Sequence, residues 1–117
     1  MKNKNFLQSV KCALKGMKSG FLSERNFKIY LCIAAFFLIL NILLSANIYD
    51  YVILVILSCA VFSAEYLNTA IERMCDRFCD EKDKDIGFVK DVSAAAVLVN
   101  GIAFFTGEGI ILISKIL

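Results

Sequence analysis

From Ile29 to Ile48 the chain runs twenty residues without a charged side chain, and two further apolar runs follow. Tyr51 to Ala64 gives fourteen uncharged residues, or seventeen counted back to Ile48 past Asp50. Val92 to Ile113 gives twenty-two, interrupted only by Glu108. A helix needs roughly 20 apolar residues to cross about 30 Å of hydrocarbon, so the first and third runs qualify and the second is short. With 59% hydrophobic residues, no proline and a mean hydropathy of +0.70, the chain is too apolar for an ordinary soluble domain. At 117 residues a single domain, 1–117, is expected. The expected fold class is an all-α membrane protein with three transmembrane helices. Their spans are set at about 29–48, 49–67 continuing to 78, and 92–113.

Charge sets the expected orientation. Lys2, Lys4, Lys11, Lys15, Lys18, Arg25 and Lys28 precede the first span, and Arg73, Arg77, Lys82, Lys84 and Lys90 lie between the second and third. The turn "SANIYDY" has no basic residue, and the C-terminal tail has only Lys115. Positive residues favour the cytoplasmic side, so the N-terminus and second loop are expected there and the C-terminus outside, in a bacterial cell membrane. The first apolar run is long for a cleaved signal peptide, and the charged segment before it is longer than a usual n-region. Five scattered cysteines read as reduced, small apolar residues. Cys75 and Cys79 stand one helical turn apart, but without histidine a zinc site is not expected.

Ahead of the first span, Phe6, Val10, Leu14, Met17 and Phe21 share one side of a helical wheel, and Lys4, Lys11, Lys15 and Lys18 gather on another sector. This predicts an amphipathic helix over about 5–22, lying in the membrane interface. A basic anchor with no other task would show the same pattern. Gly16 and Gly20 would allow close approach of another helix. Glu24 is the only acidic residue among the first 49. Asp91 and Ser93 are candidate caps for the third span, ahead of Ala94, Ala95 and Ala96. The segment "CDEKDKDIGFVKD" reads as a solvated loop.

The second span runs into "AEYLNTAIERMCDRF" with no glycine or proline to stop it. Glu65, Asn68, Glu72 and Asp76 therefore share a face of one helix running from about 48 to 78. Seventeen residues from Ile48 cover about 26 Å, which puts Glu65 at the inner edge of the hydrocarbon, with Glu72 about 10 Å further into water. A carboxylate at that edge is costly unless paired or protonated. Burial disfavours its charged form, which suits it to take a proton from an alcohol near neutral pH. An alcohol at that depth is the hydroxyl of a membrane lipid. Glu72 suits a hard cation such as Mg²⁺. A lipid hydroxyl on one side and Mg²⁺-nucleotide on the other describe a lipid kinase. Two alternatives stand beside this. The stripe could be a solvated helix face salt-bridged to Arg73 or Arg77, in a purely structural protein with a charged hairpin. Or Glu65 could serve as the proton relay of a small oligomeric transporter.

"EYLNTAIERMCDRF", followed by "KDVSAAAVLV" from Lys90 and preceded by "ALKGMKSGFLSERNFK", resembles the bacterial diacylglycerol kinase family, which includes the undecaprenol kinases of Gram-positive bacteria. The resemblance runs from about Phe6 onward. It implies three membrane helices with an N-terminal surface helix, assembled as a homotrimer. The implied chemistry is transfer of the ATP γ-phosphoryl group to a lipid alcohol without a P-loop. The nearest glycine-rich candidate, "TGEG" at Thr106 to Gly109, lies at the wrong end. Glu65 then matches the catalytic base, and Glu24 and Glu72 match the acids holding Mg²⁺ on ATP. Asn68 would orient the base or the acceptor hydroxyl. Lys90 and Asp91 would contact nucleotide, with Asp76 and the Glu81 to Asp83 segment near its remainder. Glu65 and Ala94 are the candidate contacts to the lipid substrate. Val89 departs from the pattern, which has a small residue there. Undecaprenol is the favoured acceptor, diacylglycerol the alternative, and no nucleic-acid partner is expected.

Overall fold

The structure, a computed structural model, describes residues 5–80 and 82–117. Helix α1, Phe6–Ser23, is opened by a capping box: Asn5 accepts from the Gln8 amide at 2.8 Å and Gln8 returns the bond at 3.2 Å. None of its residues is buried within the chain. It joins the bundle at its C-terminal end. There the Tyr66 hydroxyl donates to the Met17 carbonyl at 3.0 Å, and the Tyr66 ring lies so close to Gly20 that a Cβ would meet it at 2.8 Å. Gly20 is thus the position of close approach, and Gly16 has nothing within 4 Å.

Glu24 is extended (φ −124°, ψ 131°), ending α1 and starting α2, Arg25–Leu43. Phe27 is fully buried at this corner and packs on the Tyr66 ring with centroids 4.3 Å apart. The apolar run continues to Ile48, but the helix stops at Leu43. Ser45 takes a left-handed φ of 57°, and Asn47 and Asp50 form a second capping box that starts α3. Hydropathy is blind to a turn made of uncharged residues.

Helix α3, Ile48–Phe78, is continuous for 31 residues, about 46 Å at 1.5 Å per residue. Helix α4, Lys84–Ile116, starts well before the apolar run it carries. Its cap is Asp83, which accepts from the Asp85 amide at 2.8 Å, and neither Asp91 nor Ser93 caps it. The expected solvated loop therefore loses Lys84 onward to α4, because nothing there breaks a helix and Asp83 can satisfy the first free amides.

Leu54 and Val61 of α3 and Phe104 of α4 form the centre of the core, with Tyr30, Ile33 and Phe37 of α2 and Leu57 packed on it. Phe37 meets Phe104 edge-on, ring centroids 5.2 Å apart. Most other large apolar side chains are exposed on the single chain. Helices α2, α3 and α4 are each long and apolar enough to cross a membrane. The chain is an all-helical, multi-pass membrane protein.

Candidate active site

At Glu65 the chain buries a carboxylate that water would otherwise hold: the residue is 3% exposed. The Tyr30 hydroxyl donates to Glu65 Oε2 at 3.3 Å, and the Asn26 side chain lies beside the carboxylate. Both partners come from the first turns of α2. The pairing of α2 with α3 thus fixes the position of the carboxylate.

One turn on, Asn68 is 7% exposed and joins two helices. Its Nδ2 donates to Glu72 Oε1 at 3.3 Å, and its Oδ1 accepts from Ser93 Oγ of α4 at 2.8 Å. The structure therefore connects Asn68 to Glu72 and Ser93. Glu72 opens into a cleft lined also by Glu24, Thr69, Arg73, Asp76 and Arg77. Among the described residues neither arginine makes an ion pair with Glu72 or Asp76; Asp76 instead pairs with Lys90 of α4 at 2.6 Å. Beyond that pair a second cleft is lined by Cys75, Asp76, Ile86, Gly87, Lys90 and Asp91, so Asp76 borders both.

Of the other candidates, Asp83 is occupied as the α4 cap, Ala94 is exposed on α4 and lines neither cleft, and Glu81 lies outside the described residues. Sequence reasoning missed Tyr30, Asn26, Thr69 and Ser93. Nothing local marks Tyr30 or Ser93 for the site, since their partners are on other helices. Arg73 and Arg77 were weighed only as counter-ions to the acidic stripe, and they line the cleft beside it.

Among the described residues no group of three His, Cys, Asp or Glu could hold an ion unaided. Glu24 and Glu72 nevertheless face one cleft, Glu24 makes no capping bond to α2, and Thr69 Oγ1 is buried there without a partner. Two carboxylates with a spare hydroxyl fit an ion such as Mg²⁺, which keeps waters and phosphate oxygens as its remaining ligands.

A buried, helix-held carboxylate near a cleft of mixed charge, on a chain with three helices long and apolar enough to cross a membrane, fits an integral-membrane phosphotransferase. The chain belongs to the prokaryotic diacylglycerol kinase family, whose model matches residues 11–112. It is a lipid kinase. It is 34% identical over 94 residues to an undecaprenol kinase of Bacillus subtilis, covering 80% of this chain and 76% of that one. It is 30% identical over 114 residues to a diacylglycerol kinase of Synechocystis, covering 97% of this chain and 65% of that one. A diacylglycerol kinase of Haemophilus influenzae is 27% identical over 95 residues, covering 81% and 80%. No solved structure matches the chain.

Proposed function

We propose that the protein transfers the γ-phosphoryl group of ATP, bound with Mg²⁺, to the hydroxyl of undecaprenol in the bacterial cell membrane. The observation that carries this reading is the burial of Glu65 beside the cleft of Glu24 and Glu72. Glu65 accepts the proton of the acceptor hydroxyl as its oxygen attacks phosphorus. Tyr30 and Asn26 aim the carboxylate, and Asn68 sets the position of Glu72 relative to it. Glu24 and Glu72 hold the cation, which neutralises phosphate charge.

Lys90, Asp76 and Asp91 border the nucleotide, with Asp83 and Glu81 near its far end. The Lys90–Asp76 pair is part exposed, and such pairs contribute only about 0–1 kcal/mol, so a phosphate can take the lysine from Asp76. Arg73 and Arg77 offer guanidinium groups to the phosphates from the same cleft. Ala94, with Glu65, borders the lipid. The clefts and N-terminus face the cytoplasm, where ATP is, and the C-terminus lies outside. The active form is a homotrimer, which the family likeness supports. Exposed Ala94, Ala95 and Ala96 permit close helix approach between copies.

Two of the three relatives above act, by their names, on diacylglycerol, which makes that lipid the second reading. Purified protein with ATP and Mg²⁺ should phosphorylate undecaprenol with the higher kcat/KM. Faster turnover of diacylglycerol would reverse the preference, and phosphorylation of neither lipid would refute the acceptor class. Tyr30→Phe should lower kcat by about 10-fold, the worth of one hydrogen bond to a charged group, with helix content unchanged by circular dichroism.

A further inference from the structure

The end of the bundle away from Glu65 holds polar side chains that phosphoryl transfer does not use. Asn41 lies in the last turns of α2 and Glu108 on α4, and both are 0% exposed. The Asn41 amide nitrogen donates twice, to the Phe37 carbonyl and to Glu108 Oε1, each at 2.8 Å. Both its hydrogens are then used. One oxygen remains on each residue: Asn41 Oδ1 and Glu108 Oε2 are buried with no partner.

An orphaned buried acceptor is destabilising by about 1–3 kcal/mol, and more when it is charged. Among the described residues no cation pairs with Glu108. The charged group that acts on it is Asp50 of α3, a like charge, itself bound to Lys115 of α4 at 2.8 Å. Helix α2 contributes only Asn41 here. Two acceptors cannot bond each other, but a carboxylic acid and a primary amide are complementary. Each supplies one donor and one acceptor, and a single proton on Oε2 satisfies both orphans.

We propose that Glu108 is a buried proton-binding site, a neutral acid whose hydroxyl donates to Asn41 Oδ1 and closes a two-bond acid–amide ring clasping α2 to α4. The ring fixes the far end of the helix whose opposite end presents Glu24, Asn26 and Tyr30. It stands whichever lipid is phosphorylated.

Infrared difference spectra of the full-length protein in detergent test this. Glu108→Gln should remove the carbonyl stretch of a protonated carboxylic acid at neutral pH. Glutamine reproduces both bonds of the ring, so kinase turnover should stay within about twofold of wild type. Asn41→Leu should retain that band and shift it to the position of an acid lacking an amide partner. Loss of no protonated-acid intensity in Glu108→Gln overturns the proposal. Should that variant fail to fold, an unshifted band in Asn41→Leu overturns it equally.

Discussion

Glu65→Gln is expected to reduce turnover by about 10²–10⁴-fold, the range that a positioned general base contributes. Glutamine keeps the length of the side chain and one oxygen that can still accept from Tyr30, so the packing of α2 on α3 should survive. What it loses is the capacity to take a proton. Nucleotide affinity should therefore stay close to wild type, since Glu65 lines neither charged cleft. Single-turnover kinetics beside a fluorescent-nucleotide titration separate the two quantities. Near-normal turnover would remove Glu65 from the role of base.

The opposite split is expected for Glu72→Gln and Glu24→Gln. Each removes a charge from the cleft that fits the cation, and an interaction with a charged group is worth about 1.5–3 kcal/mol, or roughly 10–100-fold in affinity for Mg²⁺-ATP. In Glu72→Gln the amide oxygen can still accept from Asn68, so the Asn68–Ser93 link between α3 and α4 should survive and the loss should be confined to affinity. Nucleotide titrations at several Mg²⁺ concentrations measure this. Unchanged affinity in both variants would move the cation elsewhere.

Much of this arrangement was legible from the chain alone. Three apolar runs marked the three long helices, and the lack of a breaker after Ala64 required α3 to carry its acidic face out of the membrane. The identity of that face followed from spacing. Three things were not legible, for different physical reasons. The turn at Ser45 is built from uncharged residues and rests on backbone conformation. The start of α4 was placed too late because charged residues were equated with loop, although Asp83 caps and Lys84 onward is compatible with helix. The support of the site was invisible because it is tertiary: Tyr30 reaches Glu65 across 35 positions, and Ser93 reaches Asn68 across 25. Glu108 was noticed only as an interruption, and its partner Asn41 lies 67 positions away.

The unbroken length of α3 has a mechanical meaning. A rod of about 46 Å exceeds the ~30 Å hydrocarbon layer by some three helical turns, and in the proposed mechanism Glu65 and Glu72 would act along one stiff strut with no hinge in α3 between them. Alignment then depends on how deeply the strut is seated. On the proposed roles, a thicker or thinner bilayer would slide Glu65 relative to the plane of the lipid hydroxyls, making the membrane part of the gauge that sets the reacting distance.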